Sequence, residues 1–391
     1  MNNIRLMNKI AAIGTDRFDR SVYNVSEDAQ SPDAIMVRSA ALHDLEFNPE
    51  LLCIARCGAG VNNIPVDRCS DDGIVVFNTP GANANAVKEL VICALMLASR
   101  DIIGGVEWAK TLAGDPDAAK TVEKGKSKFA GVELAGKTLG IIGLGAIGGL
   151  VANLATHFGM SVVGYDPYIT VDAAWKLNKT VEHAASIDTI YAKADYITIH
   201  VPSLESTRGT ICADSIAKMK DGVRIINLAR ADLAVAADVK AALESGKVAS
   251  YVTDFPTPET IGVPGIVNIP HLGASTEEAE DNCAVMAADQ IKDYLEHGNI
   301  VNSVNYPTVS IPYSAETSRI LVLHKNAPSV IAKISLAVSS RGINIENMVN
   351  KSRGDNACTL LEIAGVLGEN EIAPIIAEIK AISGIKRVRV I

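Results

Sequence analysis

Thr138-Leu-Gly-Ile-Ile-Gly143-Leu-Gly145-Ala-Ile-Gly148 is the stretch that decides the fold of this 391-residue chain. A short apolar run, typical of a buried parallel strand, leads into a glycine-rich turn that opens a helix. The first glycine permits a tight turn, the second lets a pyrophosphate approach the backbone, and the third lets the helix pack against the strand. Amides at a helix N-terminus favour anions. We therefore expect a dinucleotide to lie against Gly143, Gly145, Ala146, Ile147 and Gly148.

The next strand predicts which dinucleotide binds. The mostly apolar run Ser161–Tyr165 ends at Asp166. A carboxylate there would accept hydrogen bonds from the ribose 2′ and 3′ hydroxyls and repel a 2′-phosphate. The alternative is a simple turn residue, because Asp-Pro favours turns. The pattern predicts NAD as the cofactor rather than NADP.

Short apolar runs alternate with helical segments on both sides of this motif. Residues 137–269 predict a doubly wound parallel sheet, with strands at Thr138–Ile142, Ser161–Tyr165, Tyr196–His200, Arg224–Asn227, Ser250–Val252 and Ile266–Ile269. The first hundred residues show the same alternation. They predict a second α/β sheet with strands at Lys9–Ile13, Ala34–Val37, Leu51–Ala55 and Gly73–Phe77, and a helix over Ala84–Ile103. A further helix, Glu277–Glu296, should return the chain to the first domain.

A smaller domain is predicted after a proline-containing linker around Asn299–Tyr313. Strands and helices follow in the order βαββαβ, which is a ferredoxin-like pattern. The segments are Arg319–His324, Ser329–Arg341, Ile343–Lys351, Cys358–Ala364, Ile372–Ala381 and Ile385–Ile391.

Composition limits the class of protein. Hydrophobic residues make up 48% and charged residues 21% of the chain, as in globular proteins, and the length suits two to three domains. The net charge of −9 and an aromatic content of 4% argue against nucleic-acid binding. Seven scattered cysteines without a C-x-x-C motif predict reduced thiols in a cytoplasmic protein and no metal site. The N-terminus lacks a signal-peptide pattern, and the apolar run Leu90–Ala98 is too short to span a membrane.

Three polar residues follow predicted strands of the second sheet. These are Arg230, Glu259 and His271. Ligands of open α/β sheets bind beyond the carboxyl ends of strands, so the three side chains can converge. Oxidation of a 2-hydroxy acid needs such a set: an arginine for the carboxylate, a histidine to take the hydroxyl proton, and a carboxylate to orient the imidazole. Taken singly, each has a structural alternative, namely a surface ion pair, a solvated loop residue or a helix cap.

The order and spacing of these residues resemble those of the D-isomer-specific 2-hydroxyacid dehydrogenases. The matching stretches cover most of the first 300 residues: Val37-Arg-Ser-Ala, Arg56-Cys-Gly-Ala-Gly-Val-Asn-Asn, Phe77-Asn-Thr-Pro-Gly-Ala-Asn, Gly136-Lys-Thr-Leu-Gly-Ile-Ile-Gly-Leu-Gly-Ala-Ile-Gly, Ile226-Asn-Leu-Ala-Arg, Asp254-Phe-Pro-Thr-Pro-Glu and Pro270-His-Leu-Gly-Ala-Ser-Thr.

The resemblance implies roles for individual residues. Arg230, Glu259 and His271 would be catalytic, with Asp254 and Pro202 beside the nicotinamide. Further contacts to the cofactor are implied for Leu228, Ala229, Arg230, His271, Gly273 and Ala274. The substrate would be bound by Arg38, Gly58, Ala59, Gly60, Val61 and Asn83. Departures from the family pattern are Asn62, Ala86, Ala231 and Val235.

The resemblance also implies an architecture of three domains. A flavodoxin-like substrate-binding domain, residues 1–98 and 275–300, would hold an inserted Rossmann-like NAD-binding domain, residues 99–274. A linker, 301–315, would lead to residues 316–391, which resemble an ACT domain. Family members with this tail bind L-serine across paired tails, at positions that correspond here to His324, Asn326 and Asn344. Ser329 replaces the glycine of that motif. A tail that serves only oligomerisation is the alternative.

The function implied by the resemblance is NAD-dependent oxidation of 3-phospho-D-glycerate to 3-phosphooxypyruvate, the first step of L-serine biosynthesis. A homodimer or homotetramer with possible L-serine feedback is expected on the same ground. Two alternatives stay open. One is another dehydrogenase of D-2-hydroxy acids, such as a glycerate or hydroxypyruvate reductase, and the other is a scaffold protein that senses NADH.

Overall fold

The computed structural model describes all 391 residues, which divide into two compact units. The first unit contains residues 1–83 and 280–391, and the second contains residues 84–279. The sequence-based boundaries lay at 98/99 and 274/275, so the structure assigns the helix that begins at Ala84 to the second unit. Val87, Val91 and Leu95 of this helix are buried in the same core as Leu139 and Ile226, which explains the assignment.

The first unit begins with a five-stranded sheet in which every pair of strands is parallel. The strand order β2-β1-β3-β4-β5 is that of flavodoxin-like folds. Apolar clusters cover both faces of this sheet. Its elements are β1 (Asn2–Met7), α1 (Ala12–Thr15), β2 (Tyr23–Ser26), β3 (Ala34–Val37), β4 (Cys53–Arg56), α2 (Val66–Asp71) and β5 (Val75–Phe77).

The prediction of a first strand at Lys9–Ile13 is wrong. The strand lies earlier, at Asn2–Met7, and Ala12–Thr15 is helical. Ile13 is 54% exposed, whereas Ile4 is fully buried. The polar residues around Ile4 concealed the strand, because only one face of its amphipathic pattern enters the core.

The second unit is built on a seven-stranded parallel sheet with the order β12-β11-β10-β9-β6-β7-β8. This is the doubly wound Rossmann order with one added edge strand. The six predicted strands are present, and the two-residue strand β8 was not predicted because both of its residues are polar and exposed. The elements are α3 (Ala84–Ser99), α4 (Ile102–Lys110), α5 (Ala118–Gly125), β6 (Thr138–Ile142), α6 (Ala146–His157), β7 (Ser161–Tyr165), α7 (Val171–Trp175), β8 (Glu182–His183), α8 (Ile187–Lys193), β9 (Tyr196–Ile199), α9 (Ala213–Ala217), β10 (Val223–Asn227), α10 (Ala236–Glu244), β11 (Val248–Thr253) and β12 (Ile266–Asn268).

A long helix, α11 (Glu277–His297), carries the chain from the second unit back to the first. The C-terminal segment then forms a four-stranded antiparallel sheet with the order β14-β15-β13-β16. The predicted βαββαβ succession is confirmed. Its elements are β13 (Thr317–Lys325), α12 (Val330–Ser339), β14 (Ile345–Arg353), β15 (Asn356–Ala364), α13 (Glu369–Lys380) and β16 (Ile385–Val390).

The C-terminal sheet belongs to the first unit, where Leu321 and Leu360 share a buried core with Ile4. Basic side chains of the sheet also bond to backbone carbonyls of this unit. Arg389 donates to the carbonyls of Tyr294 (2.9 Å) and Leu295 (3.0 Å) near the end of α11. Lys386 donates to the carbonyl of Ser70 at 2.7 Å. Basic side chains near a helix C-terminus can bond its last carbonyls and interact favourably with the helix dipole. No helix of the chain is long and apolar enough to cross a bilayer.

Candidate active site

The glycine-rich turn has the geometry that its sequence predicts. Gly143 has φ +93°, and a Cβ on this residue would lie 2.7 Å from the carbonyl oxygen of His200. A Cβ on Gly148 would lie 1.9 Å from the carbonyl oxygen of Gly143, so α6 can approach the turn only without a side chain there. A Cβ on Gly145 would meet no atom within 4 Å. The second glycine therefore exposes open backbone at the start of α6, where a pyrophosphate fits.

Asp166 follows β7 and is bonded to this turn. Its Oδ2 accepts from the backbone N–H of Leu144 at 2.9 Å, and its Oδ1 accepts from the N–H of Tyr168 at 2.9 Å. A carboxylate has about four lone-pair sites, so both oxygens can still accept from ribose hydroxyls. The half-buried side chain is held beside the glycines, as the NAD prediction requires.

A buried asparagine holds the backbone of the loop after β10, which carries Arg230. This asparagine is not among the predicted site residues. Asn227 is fully buried, and its Oδ1 accepts from the N–H groups of Ala229 (3.2 Å) and Arg230 (3.4 Å). Its Nδ2 donates to the carbonyl of Arg230 at 2.8 Å and to the Tyr251 hydroxyl at 3.1 Å. The sequence did contain a signal for this role, because Asn227 is a polar residue at the end of an otherwise apolar strand. Buried polar groups require hydrogen-bond partners, so its side chain was expected to bond nearby groups.

Three adjacent strands bring Arg230 and His271 to one aromatic ring. Phe255 follows β11, which lies between β10 and β12 in the sheet. The Arg230 guanidinium lies 5.8 Å from the centre of the Phe255 ring, and the His271 ring centre lies 4.7 Å from it. Both side chains are exposed at the carboxyl ends of their strands. Two of the three predicted catalytic residues therefore lie together.

The backbone of His271 is held in an uncommon conformation by Asp254. His271 has φ +52°, and such values at residues other than glycine are concentrated at functional sites. Asp254 is 1% exposed and accepts from the N–H groups of Leu272 (2.6 Å) and Gly273 (2.8 Å). Burial raises the pKa of Asp254, although these two N–H donors act in the opposite direction. Asp254 thus fixes the loop that presents His271.

Glu259 is the third predicted catalytic residue. No hydrogen bond or ion pair joins its side chain to that of His271, and the Glu259 carboxylate is exposed. Its pKa is lowered by a hydrogen bond with the Thr257 side chain. Hydrogen bonds between catalytic groups often tighten only when the substrate is bound, so its role stays a prediction.

The remaining residues predicted to contact the cofactor lie around the same edge of the sheet. Pro202 is exposed beyond β9, Leu228 is buried, and Ala229 and Ala274 are half-buried. His200, at the end of β9, bonds the Thr198 hydroxyl at 3.0 Å, and burial lowers its pKa to about 4. A neutral imidazole therefore lies beside the glycine-rich turn at physiological pH.

The predicted substrate residues of the first unit form their own cluster. The Arg38 guanidinium lies 2.5 Å from Glu280 Oε1, and both side chains are about 40% exposed (41% and 40%). Arg56 donates from Nε to the carbonyl of Arg38 at 3.1 Å. Gly58 has φ +150°, a backbone conformation that favours glycine, and a Cβ there would displace the Arg56 guanidinium. The predicted loop residues Ala59, Gly60 and Val61 come directly after Gly58. Asn83, also predicted to contact the substrate, is the last residue of the N-terminal segment of the first unit.

The predicted effector residues of the C-terminal segment differ in accessibility. His324 is 2% exposed, and its ring nitrogens bond to the carbonyl of Lys325 (2.8 Å) and the hydroxyl of Thr359 (2.9 Å). Neither nitrogen is therefore open to a ligand in this arrangement. Asn326 is exposed beside a cavity of about 380 Å³. Asn344 is also exposed, and its Nδ2 donates to Glu346 Oε1 at 3.0 Å.

Two departures from the family pattern have visible structural effects. Ser329 has φ +67°, a left-handed conformation that glycine adopts without strain. The substitution therefore affects the backbone at the start of α12, in addition to the space for a ligand. Ala231 begins a short 3₁₀ helix, Ala231–Leu233, without a positive φ, so glycine is not required there.

Comparison with known proteins agrees with this geometry. Residues 96–273 match the model of the D-isomer specific 2-hydroxyacid dehydrogenase, NAD binding domain. The D-3-phosphoglycerate dehydrogenase of Synechocystis is 36% identical over 287 residues, 70% of this chain and 49% of that protein. D-3-phosphoglycerate dehydrogenase 1 of Saccharomyces cerevisiae is 31% identical over 345 residues, 82% of this chain and 70% of that protein.

Among solved structures, the NAD⁺-bound 3-phosphoglycerate dehydrogenase of Entamoeba histolytica is similar, with a TM-score of 0.61 and 25% identity. The match covers 78% of this chain and 98% of that one. The matched region spans about half the length of some curated relatives, 49% and 53% in two cases. The family model identifies the glycine-rich turn and Asp166 as parts of an NAD-binding domain. The chain belongs to the D-isomer specific 2-hydroxyacid dehydrogenases.

Proposed function

We propose that the protein oxidises 3-phospho-D-glycerate to 3-phosphooxypyruvate, with NAD as the oxidant. The observation that carries the proposal is the placement of Arg230 and His271 beside the same Phe255 ring. A 2-hydroxy acid presents a carboxylate beside a hydroxyl, and guanidinium and imidazole are suited to these two groups. The relatives named D-3-phosphoglycerate dehydrogenase support the choice of acid.

Each side chain would have a distinct role. The Arg230 fork would bind the substrate carboxylate and polarise the C2 oxygen. A ring nitrogen of His271 would accept the proton of the C2 hydroxyl, and Glu259 would orient the imidazole. NAD, when bound, supplies the hydride acceptor. The substrate phosphate would be bound by Arg38, with help from Arg56. Since the net charge of the chain is −9, binding of a trianionic substrate depends on such individually placed cations.

An NADH-formation assay tests the substrate. The expected result is turnover of 3-phospho-D-glycerate well above that of glycerate, lactate and 2-hydroxyglutarate. Robust turnover of an unphosphorylated acid alone would contradict the substrate assignment. NADH binding without any turnover would favour the sensor alternative. Arg38→Ala should raise KM for the phosphorylated substrate, whereas Arg341→Ala, in a surface ion pair of the same unit, should not.

For the C-terminal segment we propose an ACT-like regulatory role within a homodimer or homotetramer. Its βαββαβ sheet and the accessible side chain of Asn326 support this role. The buried ring of His324 would stabilise the sheet rather than contact the effector. L-serine should inhibit turnover and raise the unfolding temperature, with D-serine as the control. Loss of the response in Asn326→Ala would locate the site, and no response to L-serine would leave the segment with a structural role only.

The thiols favour a reducing compartment, so we propose a cytoplasmic location. All seven cysteines are free, and five of them are buried. Burial raises the pKa of Cys53 and Cys57 to about 12, which keeps these thiols protonated and unreactive.

A further inference from the structure

The turn that carries Arg38 is held by side chains from other segments of the first unit. Arg38 directly follows β3, which lies between β1 and β4 in the five-stranded sheet. The carbonyl oxygen of Arg38 accepts from Arg56 Nε at 3.1 Å. The carbonyl oxygen of Ala40 accepts from Asn63 Nδ2 at 2.8 Å. These donors bind the carbonyl groups of the turn, and a different side chain binds its N–H groups.

Asn8 supplies the acceptor for the N–H groups of this turn. Its Oδ1 accepts from the N–H of Ser39 at 3.0 Å and from the N–H of Ala40 at 2.7 Å. The sheet explains the contact, because β1 and β3 are parallel neighbours that end at the residues before Asn8 and Arg38. A side chain that leaves the end of β1 can therefore reach the residues that follow Arg38.

The backbone of Asn8 shows what its side chain contributes. Asn8 has φ +76°, a left-handed conformation that glycine adopts without strain. Asparagine tolerates this conformation better than most residues, because its short polar side chain can bond nearby backbone groups. Glycine would suit the bend of the chain equally well, but it has no acceptor. Asparagine at this position therefore combines the bend after β1 with hydrogen bonds to the turn of Arg38.

We propose that Asn8 is a positioning residue that fixes the backbone from which Arg38 reaches the substrate. The inference rests on the proposed function, in which Arg38 binds the anionic substrate. The Arg38 guanidinium is paired with Glu280 in a half-exposed ion pair, which an anionic ligand can replace. Because the arginine side chain has several rotatable bonds, a fixed Cα lowers the entropy that is lost when the guanidinium binds. Asn8 would thus increase substrate affinity without touching the substrate.

Asn8→Gly tests this role, because glycine fits φ +76° and the change removes only the side-chain acceptor. NADH formation by the full chain is measured with the 2-hydroxy acid that it oxidises best, which is 3-phospho-D-glycerate under the proposed function. KM for this acid should rise about three- to tenfold, the scale of one ordinary hydrogen bond. Both kcat and KM for NAD should change less than about twofold, because the lost interaction affects ground-state and transition-state binding of the acid equally. Asn302→Gly is the matched control, since Asn302 is another left-handed asparagine of this unit (φ +59°) and its side chain makes no hydrogen bond.

A double-mutant cycle shows whether Asn8 acts through Arg38. Arg38→Ala should itself raise KM for the acid, and adding Asn8→Gly should raise it less than about twofold further, because the side chain to be positioned is gone. An unchanged KM in Asn8→Gly, or an equal effect of this change with and without Arg38, overturns the positioning role.

Failure of the proposed function would be seen separately. Preference for an unphosphorylated acid in the same assay contradicts the proposed substrate, and the cycle then tests Asn8 with that acid. An unchanged KM in Arg38→Ala overturns the substrate role of Arg38 and, with it, the positioning role of Asn8.

Discussion

The two parallel sheets both carry charged side chains at the carboxyl ends of their strands, but they hold them in different ways. Asp166 and Asp254 follow strands of the second unit and accept hydrogen bonds from backbone N–H groups. Arg38 follows a strand of the first unit and is paired with the side chain of Glu280, which is distant in sequence. Backbone bonds fix a carboxylate in place, whereas a half-exposed ion pair can exchange its partner for an anionic ligand. The NAD-binding side is therefore preorganised, and the side predicted to bind the substrate is adjustable.

The largest expected effect is on turnover and concerns His271, in the preorganised second unit. His271→Ala should lower kcat by about 10²–10⁴-fold, because it removes the proposed proton acceptor. NADH affinity, measured by fluorescence titration, should stay nearly constant. Equal losses of turnover and NADH affinity would show that His271 only maintains the structure of the loop.

Asp254→Ala tests whether the backbone-bonded carboxylate also stabilises the fold. The change leaves the N–H groups of Leu272 and Gly273 without their acceptor, so unfolding in urea should require on the order of 2–5 kcal/mol less free energy. Asp188→Ala is the matched control, because it removes a carboxylate from an exposed ion pair of the same unit. That change should cost less than about 1 kcal/mol. If both variants lose a similar amount of unfolding free energy, the backbone-bonded carboxylate does not stabilise the fold more than a surface carboxylate does.

A third substitution concerns cofactor selectivity. Asp166→Ala removes the acceptor of the ribose hydroxyls and the charge that repels a 2′-phosphate. The preference for NAD over NADP, measured as a ratio of kcat/KM values, should fall by about 10–100-fold, the equivalent of one hydrogen bond to a charged group. An unchanged ratio would mean that another residue contacts the ribose.

The smallest effect is expected for Glu280, the ion-pair partner of Arg38 in the first unit. Glu280→Gln should change the free energy of unfolding by less than about 1 kcal/mol, because the Arg38–Glu280 pair is half-exposed. KM for the phosphorylated substrate should fall a few-fold, since Arg38 loses a competing carboxylate. Glu378→Gln, in another half-exposed ion pair, is the control for general charge effects. A higher KM in Glu280→Gln alone would show that Glu280 orients Arg38 instead of competing with the substrate.

Most of the strands could be predicted from the sequence because short apolar runs mark strands that are buried on both faces. The six strands from Thr138 onwards were found in this way. The edge strands β2 and β8 were missed, and the first strand was misplaced, because half-exposed strands lack a continuous apolar run. The helix beginning at Ala84 was found, but its place in the second unit depends on which core its apolar face meets.

The candidate site, like the fold, was predictable from the sequence only in part. The glycines and Asp166 act through nearby backbone, so their spacing predicts their geometry. The role of Asn227 in holding the loop of Arg230 was not predicted, although both residues belong to the stretch Ile226-Asn-Leu-Ala-Arg that resembles the family. The burial of His324 and the left-handed conformation of Ser329 were also missed, because neither follows from residue type.

The sequence by itself determined two α/β sheets, a dinucleotide turn, a βαββαβ segment and the identities of the groups that can carry chemistry. Only the tertiary structure decided that Arg38 pairs with Glu280, that Arg389 and Lys386 of the C-terminal sheet bond backbone carbonyls of the first unit, and that the amide of Gln290 is buried without a partner. The physical reason is the range of the interactions. Turns and strands form through contacts between neighbours in sequence, whereas ion pairs, capped helix ends and cavities arise from segments that meet only when the chain is packed.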